Sequence, residues 1–347
     1  MRARPFLALG AVALIAAGCG GDDDDTAGTD APETEAPAAT EAPATSAAPA
    51  ATEAPASTGS AAGGEAVKIA FVTKFPVEFF TAMEDAAKAY AQENEGVEIE
   101  YYSCQSPSDV DCQIAQIEDA VVKGFDAMVI TPMGTEVIPA MDAAVDDGMV
   151  VVLADNDLDD FTKKTAVAAT DNVKGGQAAG EYLKSILKSG DRIGLIEGVR
   201  GVPALDARIQ GVTDALEGTG VEVIIGGADS KCDAAQGATV AEDLLTRAPD
   251  LTAIYSACDD PAIAAAKVAS DQGKELIVVG YDGLPAAAQA ILDGDMTATI
   301  AQFPGRMAEL GVDAAVNAVR GNPVEPFIDT GTELVTSENA EQFLEFQ

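Results

Sequence analysis

From Val67 onward the chain repeats one pattern: a short, almost continuously apolar run, a turn rich in Gly, Pro, Asp or Asn, and then a longer amphipathic stretch. Apolar runs of this kind suit strands buried on both faces, and intervening helices are what cover those faces, so the pattern predicts parallel sheets in an α/β fold. Strands are expected at Val67–Val72, Val97–Tyr102, Ala127–Ile130, Val150–Leu153, Ala166–Ala169, Ile193–Glu197, Val221–Gly226, Ala253–Ser256 and Leu276–Gly280. Helices are expected at Glu78–Glu93, Asp111–Lys123, Glu136–Asp147, Gly175–Ser189, Leu205–Glu217, Ala234–Arg247, Pro261–Gln272 and Leu284–Asp293. So many strands exceed one doubly wound sheet of ordinary size and imply two lobes.

Ligands of open α/β sheets sit at the carboxyl ends of the strands. The polar residues that follow the apolar runs are Thr131-Pro132, Asp155-Asn156, Asp171-Asn172, Gly198 to Gly201, Cys258-Asp259-Asp260 and Asp282-Gly283. Any one of them also suits a turn or a helix cap. Gly198-Val199-Arg200-Gly201 lacks the third glycine of a dinucleotide fingerprint, and neither a P-loop nor a GxSxG pattern occurs. Asp259-Asp260 has the composition of a glycosidase acid/base pair, but adjacent aspartates at a helix start are also ordinary caps.

Composition narrows the chemistry. The 347 residues contain no histidine, which excludes Ser-His-Asp and Cys-His nucleophile systems and histidine-ligated metals. A formal net charge of −38 repels phosphate backbones, so no nucleic-acid partner is expected.

The first 65 residues differ from the rest. Arg2 and Arg4 precede the apolar run Phe6 to Ile15, followed by Ala16-Ala17-Gly18-Cys19, so residues 1–18 read as a secretory signal. Small residues directly before a cysteine resemble a bacterial lipobox, which makes Cys19 the expected lipidation site and membrane anchor. Residues 20–65 hold ten acidic and no basic residues, with prolines at 37, 43, 49 and 55. Residues 19–65 are thus expected to form a lipidated cysteine and a charged, extended tether, with Asp22 to Asp25 a solvated charge block rather than a metal site.

Four cysteines remain: Cys104, Cys112, Cys232 and Cys258. An even number in an exported chain favours two disulfides, and the eight-residue spacing of Cys104 and Cys112 suits a small closed loop. Elimination leaves Cys232 with Cys258, although spacing alone does not decide the connectivity. The absence of any CxxC pair argues against a four-cysteine zinc site.

Taken together, Phe79-Phe80, Gly124 to Pro132, Thr170-Asp171-Asn172 with Gly175-Gly176, Arg208 with Gly211, Cys258 to Ala265, Ile277 to Gly283 and Thr297 to Gln302 resemble the ribose-type periplasmic sugar-binding proteins of ABC importers. The resemblance covers nearly all of residues 66–347. It implies a type I periplasmic-binding fold of two Rossmann-like lobes joined by three crossings, with residues 66–171 and 304–330 in one lobe and 172–303 and 331–347 in the other. It further implies a non-enzymatic, cofactor-free, monomeric, exported protein, lipid-anchored outside the cell membrane, that delivers a small sugar or polyol to an ABC permease. The alternative is a receptor presenting a sugar or autoinducer to a chemotaxis or sensor-kinase partner.

Carried over by position, Phe79 and Phe80 would pack on the sugar ring, while Asp155, Arg208, Asp282 and Gln302 would hydrogen-bond its oxygens. Asn156, Cys258 and Asp259 complete the expected ligand-contacting set. Asn156 stands where ribose binders have arginine and Val77 where they have asparagine, while Cys232 and Cys258 replace a cleft aromatic and a cleft asparagine. A single disulfide is therefore expected to line the pocket, and the four substitutions separate the expected ligand from ribose itself.

Overall fold

The computed structural model describes residues 66–106 and 109–346. The signal segment, Cys19 and the acidic tether lie outside the described residues.

Two six-stranded sheets are built in chain order. Strands β1 (Val67–Val72), β2 (Val97–Tyr102), β3 (Ala127–Ile130), β4 (Val150–Ala154) and β5 (Ala166–Ala169) alternate with helices α1 (Glu78–Glu93), α2 (Val110–Lys123) and α3 (Ile138–Asp146). The chain then passes through α4 (Asn172–Ile186) into β6 (Arg192–Ile196), α5 (Pro203–Leu216), β7 (Glu222–Ile225), α6 (Ala234–Arg247) and β8 (Ala253–Ser256). It continues through α7 (Asp259–Asp271), β9 (Ile277–Asp282), α8 (Pro285–Asp293) and β10 (Ala298–Ala301). Last come α9 (Pro304–Val319), β11 (Phe327–Asp329) and β12 (Glu333–Val335).

The first sheet has the order β11-β5-β4-β3-β1-β2 and the second β12-β10-β9-β8-β6-β7. All pairings are parallel except β12 against β10. Three connections therefore cross between the lobes: β5 to α4, β10 to α9, and β11 to β12.

The strands β3, β5 and β8 are buried at every position, which is why they read as unbroken apolar runs. Helix α9 packs on β3, β4 and β5 of the first sheet. A Cβ on its Gly311 would lie 3.2 Å from Val129, so the helix sits close to the sheet floor. Helices α4 and α5 make the most extensive helix pair because glycines let their backbones meet. A Cβ on Gly176 would sit 2.3 Å from the Arg208 carbonyl oxygen, and one on Gly211 would sit 2.4 Å from that of Val173.

Several boundaries differ from the periodicity. Helix α4 begins at Asn172, three residues early, because Asp171 caps it by accepting from the Lys174 amide. Helix α7 begins at Asp259 rather than Pro261, and β9 runs on to Asp282. Helix α9 and the short strands β10, β11 and β12 do not appear among the expected elements; strands of three or four residues carry too little pattern to read.

Both cysteine pairs are disulfide-bonded. Cys104–Cys112 ties the segment after β2 to the first turn of α2, and Cys232–Cys258 ties the segment after β7 to the N-cap of α7.

Candidate functional site

The carboxyl ends of β1 and β4 in the first lobe and of β8, β9 and β10 in the second face one another across a cavity of about 650 Å³. From the first lobe, Lys74, Glu78, Phe79, Phe80, Asp155 and Asn156 line it. From the second come Leu205, Arg208, Cys232, Cys258, Asp260, Asp282, Leu284 and Gln302.

Arg208 organises the second lobe's side. It is buried on α5, and its Nη1 donates to the Ala257 carbonyl and to Asp282 Oδ1, both at 2.8 Å, while Nε donates to Asn172 Oδ1 at 2.8 Å. Its guanidinium also lies 3.9 Å from the centre of the fully buried Tyr281 ring. Gln302 Nε2 donates to the same Asp282 oxygen at 2.7 Å. Burial pushes the Asp282 carboxyl up from its ordinary value, and Arg208 opposes that rise. Burial works against the Arg208 charge, but Asp282 and other nearby groups outweigh it and hold the guanidinium above its ordinary value.

On the first lobe, Lys74 Nζ lies 3.7 Å from Asp155 Oδ2, both side chains being largely buried. Oriented so that its nitrogen donates to Asp155 Oδ2 at 3.1 Å, the Asn156 amide turns its oxygen to Lys74. Burial lowers the Lys74 pKa, and the neighbouring Asp155 works the other way. Lys74 also stands 5.6 Å from the centre of the Phe80 ring.

The Asp155 and Asp282 backbones adopt φ of 67° and 124°, values that L-residues seldom take outside constrained sites. Each departs from its strand in a direction that an ordinary extended residue would not give. Asp155 holds its place by donating its amide to Ala168, while Asp282 accepts the Gln302 amide on its carbonyl.

Asp259 is the exception among the expected contacts. It is fully buried beneath the cavity, where Oδ1 accepts from Thr299 Oγ1 at 2.6 Å and Oδ2 from the Leu284 amide at 2.8 Å. A Cβ on Gly280 would lie 2.1 Å from its Oδ1, so the glycine before Tyr281 makes room for this carboxyl. Asp260, one residue on, lines the cavity instead. Burial, with the Asp282 charge second, pushes Asp259 up to about 7. The two aspartates thus play different parts: one joins β9, β10 and α8 from inside, and the other meets the cleft. The Gly198 to Gly201 segment also has a structural use, since a Cβ on Gly198 would lie 2.6 Å from Leu205 and 3.1 Å from Cys232 Sγ.

Phe79, Phe80, Asp155, Asn156, Arg208, Cys258, Asp282 and Gln302 all line the cavity, as do Val77 and Cys232. Lys74, Glu78 and Leu205 were not expected there, and Asp260 was singled out only as a strand-end polar residue beside Asp259. Lys74 had a signal that could have placed it, a cation two residues past the apolar run Ile69 to Val72. Asn172 supports the site from outside by orienting Arg208.

The arrangement suits a neutral, hydroxyl-rich molecule. Aromatic rings offer an apolar wall on one side, and the disulfide with Leu205 and Leu284 offers another. Between them lie charged acceptors and donors already held in place by one another. Four carboxylates against two cations make the lining net negative, which disfavours anionic ligands.

Comparison with known proteins matches residues 69–323 to the model of the periplasmic binding protein domain. The D-ribose/D-allose-binding protein of Pseudomonas aeruginosa is 34% identical over 287 residues, covering 79% of this chain and 90% of that protein. A crystal structure of an ABC transporter solute-binding protein from Mycobacterium smegmatis, with bound glycerol, is similar at TM-score 0.72 and 29% identity, covering 81% of this chain and 98% of that one. The solute-binding protein of Bacillus halodurans with bound myo-inositol gives TM-score 0.73 and 27% identity, covering 81% and 99%.

Proposed function

We propose that this chain, which belongs to the periplasmic binding protein family, captures a small neutral sugar or polyol in the cavity between its lobes and delivers it to an ABC permease. The observation that carries this is the convergence of Arg208, Asp282 and Gln302 from one lobe with Lys74, Asp155, Phe79 and Phe80 from the other on one cavity. Relatives that bind ribose or allose and myo-inositol, by their descriptions, agree with a polyhydroxylated ligand.

In this reading the aromatic pair covers the C–H face of the ligand, and Asp155 and Asp282 accept from its hydroxyls. Arg208 donates to a ring or hydroxyl oxygen while keeping its bond to Asp282. A wrong epimer would leave one of these buried groups unpaired, at a cost of about 1–3 kcal/mol, which is how a binder without catalysis selects its ligand. Ligand that touches both lobes favours the closed arrangement by its differential affinity for it.

The remaining parts of the reading rest on the sequence. The Arg2 to Cys19 segment supports export and lipid anchoring at Cys19, and the acidic, proline-containing residues 20–65 support a spacer that holds the clamp away from the membrane.

A thermal-shift panel of pentoses, hexoses, inositols and small polyols tests the proposal, since a ligand that binds only the native state raises Tm. At least one member is expected to do so while its phosphorylated form does not. If every member fails and a nucleoside or amino acid raises Tm instead, the sugar reading is wrong.

A further inference from the structure

The chain's last described residues return to the cleft. After β12, a short 3₁₀ turn at Ala340–Phe343 buries Ala340 and Phe343 among the side chains of α8 and Val335, fixing the tail to the second lobe. Three residues later the Phe346 ring meets Phe79, at the start of α1 in the first lobe, edge to face with centroids 5.9 Å apart and planes at 89°. Phe79 in turn meets Phe80 at 5.5 Å, and Phe80 meets Phe75 at 5.4 Å, both edge to face. A relay of four rings thus runs from Phe75 and the rings lining the cavity to the end of the chain. Phe346 itself does not line that cavity; together with Leu344 it forms one wall of a neighbouring groove of about 780 Å³, whose other walls include α1, α9 and Pro285.

We infer that Phe346 is a positioning residue for the ligand cavity and that the C-terminal tail is a strap between the lobes. The inference rests on the reading of that cavity as the ligand site. Phe79 is only partly buried, so its ring orientation depends on its neighbours. Phe346 supplies a second perpendicular ring contact to Phe79 besides Phe80. Because the tail belongs to one lobe and Phe79 to the other, the contact also adds to the free energy holding the lobes together on that side of the cleft. Deleting the ring frees Phe79 and removes the cross-lobe contact at once.

The test uses the full chain, with Phe346→Ala and Phe346→Tyr as the pair of variants. Small-angle scattering of the ligand-free protein is expected to give a larger radius of gyration for Phe346→Ala and an unchanged one for Phe346→Tyr. Titration with D-ribose, D-allose and myo-inositol is expected to show about three- to tenfold weaker binding by Phe346→Ala of any probe the wild type binds, restored in Phe346→Tyr, the factor corresponding to one aromatic pair. Phe346→Ala added to Phe79→Ala is expected to cost no further affinity. Additive losses, or an alanine variant matching the wild type in both measurements, would overturn the strap. If none of the three probes binds the wild type, the member of the thermal-shift panel that raises Tm replaces them; if the whole panel fails, the sugar reading fails by itself, and an unchanged radius of gyration for Phe346→Ala decides against the strap independently.

Discussion

Arg208 and Asp282 meet through a single oxygen: Nη1 donates to Oδ1 at 2.8 Å, and Gln302 donates to the same atom at 2.7 Å. Both residues are otherwise withdrawn from solvent, so the charge on each depends on the other. Asp282 also lines the cavity, so the carboxylate that Arg208 and Gln302 hold in place stands at the cleft as an acceptor.

That sharing sets the outcome of two substitutions. Asp282→Asn cannot accept from Arg208 and Gln302 as a carboxylate does, and it loses the charge that a ligand hydroxyl would meet. Ligand affinity measured by titration should fall about ten- to a hundredfold, the range for hydrogen bonds to charged groups. Arg208→Ala leaves a buried carboxylate without its cation and should cost about 3–5 kcal/mol of folding stability in denaturant melts. Wild-type stability in that variant would mean the pair is not structurally coupled.

The Cys232–Cys258 disulfide closes a loop across 26 residues and joins the segment after β7 to the start of α7. Replacing both cysteines by serine should lower stability by about 2–4 kcal/mol through the unfolded chain's added freedom. Because both residues line the cavity, ligand affinity should fall as well, whereas the same replacement at Cys104 and Cys112, away from the cavity, should lower stability only. Equal effects on affinity from the two pairs would remove the second disulfide's special place in the cleft.

Much of this was legible in the sequence. The strands β3 to β5 were readable because burial on both faces makes them nearly unbroken apolar runs, and Asp155 and Asp282 because they stand at the ends of such runs, whereas Gln302 was legible only through the family resemblance. Asp259 was misplaced because two adjacent aspartates look alike in sequence, and only the direction of the α7 helix start tells which faces inward. Phe346 carried no local signal at all. Its role depends on where a tail anchored by Ala340 and Phe343 ends relative to a helix more than 250 residues earlier, a long-range relation that periodicity does not encode.

Asp259 predicts a pH dependence of stability. Its carboxyl is pushed up to about 7 in the folded protein by burial and by Asp282, whereas an unfolded aspartate titrates near 4. Between those values the native state binds the proton and the unfolded state does not, so the stability it contributes is fully present below about pH 4 and is lost as pH rises through about 7. Melts across that window should show Tm falling with pH more steeply in the wild type than in Asp259→Asn. Parallel curves would mean that Asp259 remains ionised in its buried site.

Gly176 offers a test of how the fold, rather than the cleft lining, sets the site. In an ordinary helix interior, Gly→Ala is stabilising by about 1 kcal/mol through propensity. Here the new Cβ would lie 2.3 Å from the Arg208 carbonyl oxygen and 3.0 Å from its Cα, and both are backbone atoms that no side-chain rotation moves away. Helix α5 must shift, which costs about 1–3 kcal/mol for an overpacked contact and exceeds the propensity gain. The same shift carries Arg208 away from Asp282 and Ala257, so ligand affinity should fall although residue 176 is absent from the cavity lining. Gln177→Ala, at the exposed neighbouring position of the same helix, should leave both quantities near wild type. A Gly176→Ala protein that is more stable and binds normally would show that α4 and α5 tolerate separation without moving the guanidinium.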